Sequence, residues 1–245
     1  IPLVIGGKTI QTEAKENGED PSDNGAVWYR YSVGSSADVD TAIATAKSAQ
    51  AGWSALTPEA RKEILFRAAD VMHAQTEHTI AVMSRDAGKT VAEADPEISE
   101  AIDFARFYPL TANNIEGSTP LGTVLIVPPW NFPYAIPMGG VCAALAAGNT
   151  VILKPAPETV ATAWMIVNQL WEGGVPKEVL QFLPMRDDEN GKYLVTHDGI
   201  DGVILTGAFD TASLFTSWRP EINLMAETSG KNSILISACA DIDIA

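Results

Sequence analysis

The sequence predicts an α/β fold, a parallel sheet covered by helices on both faces, behind a mainly helical N-terminal region. Three observations carry this. From residue 120 onward, short apolar runs without polar alternation recur between helical segments, as strands buried on both faces require. Before that point, apolar residues recur on a helical period behind helix-start signals. The length of 245 residues and a hydrophobic content of 46% suffice for a core that needs no disulfide staple.

Residues 1–119 are taken first. Ser35-Ser36-Ala37-Asp38 has capping-box form and precedes Val39, Ile43, Ala46 and Trp53 on a helical period. Thr57-Pro58-Glu59 offers a second start, with an N-cap candidate and proline at the first helical position. Ile64, Leu65, Ala68, Val71 and Met72 give this helix its apolar stripe, and it is expected to break or end near Gly88. A third helix is expected from near Pro96 through Ile98, Ile102, Ala105 and Phe107 towards Pro109. Leu3 to Ile5 and Val27 to Val33 read as strands that pair locally, with the polar, turn-rich stretch Thr12 to Asn24 as a loop between them.

In residues 120–245 the apolar runs are Leu121 to Val127, Thr150 to Leu153, Val179 to Leu183, Gly202 to Leu205, Ile222 to Ala226 and Ser233 to Ser237. Helices are expected at Met138 to Ala147, Thr159 to Trp171, Gly191 to Thr196 and Phe209 to Trp218. Right-handed crossovers bring the loops after such strands to one edge of a Rossmann-like sheet, the edge where these folds hold dinucleotides.

The composition excludes several functions. With 31 Asp and Glu against 16 Lys and Arg, the net charge of -15 argues against a nucleic-acid partner, which demands clustered bases. No apolar stretch approaches the roughly 20 residues of a membrane-spanning helix. Cys142 and Cys239 make no disulfide framework, which fits a reducing, cytoplasmic setting. The histidines, His73 and His78 among them, form no metal-ligand pattern, so no metal is expected. A start at Ile1-Pro2-Leu3 suggests a chain excised from something longer.

Candidate chemistry gathers at the strand ends. No Gly-x-Gly-x-x-Gly fingerprint occupies a strand-to-helix turn. Instead, the first strand of this region runs into Pro128-Pro129-Trp130-Asn131-Phe132-Pro133. Its three prolines stiffen the turn and remove donors, so the Asn131 amide stands out, either as a functional donor or as a bond to its own backbone. Lys154-Pro155-Ala156 ends the next strand, and Thr206-Gly207 ends a later one and opens a helix whose free N–H groups suit a pyrophosphate. Ala226-Glu227-Thr228-Ser229-Gly230-Lys231-Asn232 sets a carboxylate beside a small flexible loop. Individually, Lys154 can be a surface cation, Thr206 an N-cap and Glu227 a solvated acid. Together, at the ends of strands in one sheet, they point to a site.

With those residues in view, the chain resembles the aldehyde dehydrogenase superfamily. The resemblance rests on Pro129-Trp130-Asn131-Phe132-Pro133, Leu145-Ala146-Ala147-Gly148-Asn149, Lys154-Pro155-Ala156, Thr206-Gly207 and Glu227 to Lys231, matched in order and spacing over nearly the whole chain. Ala226 to Asn232 and Lys154 to Thr159 are most similar to the pyrroline-5-carboxylate dehydrogenase module of bacterial PutA-type proteins. That resemblance implies NAD(P)-dependent oxidation of glutamate semialdehyde to glutamate, with NAD the expected cofactor and NADP not excluded. It implies Asn131 as the oxyanion donor and Glu227 as the general base, acting on a cysteine or on the water that hydrolyses a thioester. Lys154 would bind the adenosine ribose, with Ala156 beside it. Val127, Pro128, Pro129 and Trp130 would line the nicotinamide path, and Thr206, Gly207 and Ala208 the pyrophosphate. Glu100 and Phe104, sharing a helix face, would reach the aldehyde, although a solvated Glu100 is equally in keeping with its type. The implied partners are a small aldehyde and the remainder of a larger, bifunctional polypeptide; whether further copies of the chain join in a homo-oligomer is left open by the sequence.

Three departures from the family pattern matter. Ala208 and Ala212 stand where serine and glycine are common, so backbone N–H groups must serve the phosphates alone. Pro157 replaces the glutamate that commonly binds the ribose, which leaves the preference for NAD over NADP open. The catalytic cysteine is expected a few dozen residues beyond Glu227, and neither Cys142, in an alanine-rich helix, nor Cys239, after the last run, reads as its substitute. A cysteine-bearing catalytic domain is thus expected to be absent from the chain.

Overall fold

A computed structural model describes residues 1–112, 117–228 and 235–240. Five parallel strands build the centre: β5 (Thr123–Val127), β6 (Thr150–Leu153), β7 (Leu180–Phe182), β8 (Gly202–Gly207) and β9 (Leu224–Thr228). With β1 (Leu3–Ile5) and β2 (Lys8–Ile10) at one edge, they form a seven-stranded sheet in the order β2-β1-β7-β6-β5-β8-β9. The chain winds outward from β5 to β7, then returns beside β5 as β8, in parallel register from Val124↔Gly202 to Val127↔Leu205.

Alternate residues of β5 explain why its sequence shows no polar alternation. Val124 and Ile126 enter one apolar cluster, while Leu125 and Val127 enter another on the opposite face. The first cluster lies under α2 (Pro58–Ala74), α3 (Thr76–Ala87), α4 (Val91–Ala112), α5 (Ala135–Ala146) and α6 (Val160–Glu172). The second lies under α1 (Ser36–Ser54), α7 (Glu189–Thr196) and α8 (Phe209–Trp218). Small residues bring α5 close to its neighbours. A Cβ on Gly139 would meet the Phe104 ring at 2.9 Å, and one on Gly140 would meet Ile126 at 3.4 Å.

Helix starts at Ser35 and Thr57 follow the expected capping chemistry, with a complete capping box at Ser35 and Asp38 and with Pro58 leading α2. Other local expectations change. β1 pairs with β2 and, antiparallel, with β7, so it belongs to the main sheet. The run Val27 to Val33 becomes β4 (Ala26–Ser32), whose partner β3 (Lys15–Asp20) lies within the expected loop Thr12 to Asn24. β3 sits in a separate two-stranded ribbon and stays mostly polar, which hides it from a hydrophobicity pattern. The expected helix from Thr57 to Gly88 is two helices, broken at Gln75. The next begins at Val91 rather than near Pro96, because Thr90 and Glu93 close a cap in which the Glu93 carboxylate accepts from the Thr90 N–H at 2.9 Å and its hydroxyl at 2.8 Å. Residues 233 and 234 of the last expected run lie outside the described residues, and 235–237 form no strand. No helix among the described residues is long and apolar enough to cross a membrane.

The ribbon is tied to the helical layer by one buried carboxylate. Tyr29 lies across Gly18, where any Cβ would collide with its ring, and its hydroxyl donates to Asp86 at 2.8 Å. The other Asp86 oxygen accepts from the Thr162 backbone at 2.6 Å and from its hydroxyl at 2.8 Å, in the first turn of α6. Burial nevertheless outweighs these donors and raises the Asp86 carboxyl to about 6. A folded-state value above the unfolded one gives a stabilisation fully present below ~pH 4 and lost as pH rises through 6. Asp86→Asn removes that titration. Its cost should therefore be larger at ~pH 4 than at ~pH 7, by on the order of 3 kcal/mol. Urea unfolding followed by tryptophan fluorescence at both pH values checks this, and an equal cost at both refutes it.

Candidate functional site

The return of the chain from β7 to β8 opens a crevice at the carboxyl edge of the sheet, since α5 leaves β5 towards one face and α8 leaves β8 towards the other. A cleft of about 1040 Å³ occupies this position. Its lining includes Val127, Pro128, Pro129, Trp130, Asn131, Lys154, Ala156, Thr206, Gly207, Ala208 and Glu227, drawn from the ends of β5, β6, β8 and β9. Glu100 and Phe104 are not among the lining residues. Phe104 packs over Gly139 and stacks on Tyr108 at 5.4 Å, while Glu100 is exposed on α4. Burial first, then Cys142 and the charges of Glu100 and Glu227, raise the Tyr108 hydroxyl.

The turn carrying Asn131 is fixed from beneath. Glu97, 3% exposed on α4, accepts from the Tyr134 and Ala135 N–H groups at 2.8 and 3.1 Å, so it caps the start of α5. Its second oxygen pairs with Lys89 at 2.6 Å, and the same ammonium lies 4.3 Å from the centroid of the Phe132 ring. Asn131 itself is exposed to the cleft. Glu227 is an exposed residue of edge strand β9, paired in register with Thr206.

Lys154 departs from the surface-cation alternative. It is 5% exposed, and its ammonium lies 2.7 Å from Asp187, a carboxylate on the loop after β7. The sequence pattern placed that strand but missed the acid at its end, although the run Asp187-Asp188-Glu189 offered a signal. Asp188 caps α7 by accepting from the Asn190 and Gly191 N–H groups. Glu158, one position beyond Pro157, also lines the cleft.

The residues present fit a dinucleotide. Ala208 gives α8 no side-chain cap, which leaves its first N–H groups available to an anion. A Cβ built on Gly207 would meet only Leu205, at 3.8 Å, so a ligand can approach this backbone closely. The segment Leu145 to Asn149 serves the fold instead. Gly148 takes the left-handed conformation, and Asn149 accepts from the Gly122 N–H while donating to the Ala144 carbonyl.

Neither cysteine lines the cleft. Cys142 is fully buried in α5, and burial raises its thiol to about 12, far from a thiolate at neutral pH. Cys239 is exposed and lies 3.3 Å from the Ser237 hydroxyl.

Fold and cleft together define a Rossmann-like α/β protein with its ligand edge at the carboxyl ends of the strands. The chain belongs to the aldehyde dehydrogenase family, whose model matches residues 10–245. The 1-pyrroline-5-carboxylate dehydrogenase 2 of Bacillus subtilis is 35% identical over 267 residues, an alignment covering all of this chain and 52% of that protein. The 1-pyrroline-5-carboxylate dehydrogenase of Geobacillus thermodenitrificans is 34% identical with the same coverage. Among solved structures, a Thermus 1-pyrroline-5-carboxylate dehydrogenase with bound NAD superposes with a TM-score of 0.88 at 29% identity, over 94% of this chain and 49% of that one. Proline utilization A from Bdellovibrio bacteriovorus gives a TM-score of 0.88 at 28% identity, over 94% and 26% respectively. The chain thus spans about half the length of the curated relatives it matches.

The cap on α5 yields a test. Glu97→Ala strands Lys89 without its partner and exposes two helix N–H groups, so unfolding free energy should fall by about 3–5 kcal/mol. Adding Lys89→Met should recover part of that loss. Chemical denaturation of the three proteins measures it, and a loss below ~1 kcal/mol would show the pair to be dispensable.

Proposed function

We propose that this chain is the cofactor-binding portion of an NAD(P)-dependent aldehyde dehydrogenase, acting on glutamate semialdehyde, the open form of pyrroline-5-carboxylate, and yielding glutamate in proline catabolism. One observation carries it. Asn131, Lys154, Thr206 and Glu227 converge on a single cleft at the switch point of the sheet, in a chain that matches half of relatives named for that reaction.

Each residue then has work that its position allows. Lys154 holds a ribose hydroxyl, with Ala156 leaving room beside it. Gly207 and the first turn of α8 hold the pyrophosphate through backbone N–H groups, since Ala208 has no hydroxyl and Thr206 stands just before them. Val127, Pro128, Pro129 and Trp130 form the wall along the nicotinamide. The bound nicotinamide supplies the hydride acceptor. Asn131 donates from its amide to the aldehyde oxygen as negative charge develops, a contribution of about 3 kcal/mol in comparable sites. Glu227 removes a proton from the attacking thiol or water. Glu100 and Phe104 stand on the α4 side, around Tyr108, where the aldehyde approaches.

The nucleophile is the missing piece. Cys142 is buried as a thiol and Cys239 stands apart from the cleft, so we infer that this chain binds dinucleotide without oxidising aldehyde. Residues 1–119 and 120–245 act as two parts of one cofactor-binding unit. The free thiols are in keeping with a cytoplasmic setting, the greater length of the relatives with a larger polypeptide, and the likeness to proline utilization A with a bifunctional one.

Two of the six tryptophans, Trp130 and Trp218, line the cleft, so NAD should quench the fluorescence of the chain. Lys154→Ala should weaken that binding about 10- to 100-fold, the loss of one hydrogen bond from a charged donor. Reduced nicotinamide should not accumulate when glutamate semialdehyde is added. Saturable quenching absent from the wild type sinks the assignment of the cleft, and turnover sinks the inference that the chain lacks its nucleophile.

A further inference from the structure

We infer that Asp187 sets the nucleotide preference of this cleft, selecting the 2′-hydroxyl of NAD over the 2′-phosphate of NADP. The inference rests on the proposed dinucleotide site and says which nucleotide it takes.

Lys154 is the buried cation at the end of β6, and the carboxylate that satisfies it comes from the loop after the neighbouring strand, β7. The position three residues beyond the lysine is Pro157, which has neither charge nor N–H to offer a ribose. Asp187 supplies the acid that this stretch lacks. One oxygen takes the Lys154 ammonium at 2.7 Å, yet the side chain remains 73% exposed and lines the cleft. The pair thus presents an ammonium donor and a carboxylate acceptor side by side, the complement of two adjacent ribose hydroxyls.

The same geometry opposes a phosphate. Asp187 and Glu158 both border this part of the cleft, and both charges act on the Tyr31 hydroxyl nearby, which places them in one neighbourhood. The adjacent Arg186 is held by Glu16 at 2.5 Å, so its charge is already engaged. A dianionic 2′-phosphate here would meet two carboxylates and compete with Asp187 for Lys154. A ribose hydroxyl would donate to Asp187 instead.

The test compares NAD and NADP titrations, read by tryptophan quenching, for the wild type, Asp187→Asn and Asp187→Glu. NAD should bind the wild type at least about tenfold more tightly than NADP. Asp187→Asn should shrink that ratio several-fold, chiefly by strengthening NADP, and Asp187→Glu should keep it. Equal affinities in the wild type, or a ratio unchanged by Asp187→Asn while NAD still binds, overturns the inference alone. If neither nucleotide binds the wild type, the dinucleotide site itself falls and the inference with it. Should Asp187→Asn fail to fold because Lys154 loses its partner, the wild-type ratio together with that of Asp187→Glu decides the matter.

Discussion

The parallel pairing of β5 with β8 is the constraint on which the rest of the molecule depends. Every other central neighbour follows the chain outward in sequence, from β5 to β6 to β7. At β5 and β8 two strands far apart in sequence meet in parallel, and the helices that follow them depart to opposite faces. A sheet wound in one direction would cover this edge with consecutive crossovers. The reversal leaves it open, with Asn131 on the loop after β5 on one side and Thr206 with Gly207 at the end of β8 on the other.

An open edge is useful only if the loops around it are rigid, and here buried polar groups hold them. Glu97 takes the orphan N–H groups of α5, Lys89 neutralises Glu97, and Phe132 covers Lys89. Asp187 satisfies Lys154 in the same manner at the next strand end. A buried charge without such a partner would cost several kcal/mol, so each pair also specifies which loop lies next to which strand. The acidic balance of the chain meets the same requirement locally, because among the described residues Lys89, Lys154, Arg186 and Lys192 are each engaged by an acid or a ring.

What could be read from the sequence follows from which forces leave a pattern. The runs around β5, β6 and β8 are apolar on both faces, and burial writes that plainly into the residue types. That the candidate residues at their ends would line one cleft was legible once the strands were placed, because a parallel sheet gathers its loops at one edge. β3 was not legible, since an exposed ribbon asks little of its side chains, and neither was the break at Gln75, which no glycine or proline marks. The start of α4 was hidden for another reason. Pro96 reads as a first-turn residue, yet Thr90 and Glu93 form the stronger signal and start the helix at Val91, five residues earlier. Asp187 escaped because its meaning depends on Lys154, which is distant in sequence and adjacent only across β6 and β7.

The helical region before residue 120 is part of the site's construction, as the two ends of α5 show. At the N-terminal end, α4 provides Glu97. At the C-terminal end, Trp53 donates from its indole to the Leu145 carbonyl, and Arg61 from Nε to the Ala146 carbonyl. Helix termini leave backbone groups without intrahelical partners, and for α5 those partners come from α1, α2 and α4. Between these clamps the helix has glycine at 139 and 140, which admit Phe104 and Ile126 closely, while Met138 and Leu145 are fully buried. Packing and clamps together fix its position, and with it the direction in which the Asn131 turn meets the cleft. A Rossmann-like sheet can fold its strands without such clamps, but the donor at the end of β5 would then have no fixed place to point.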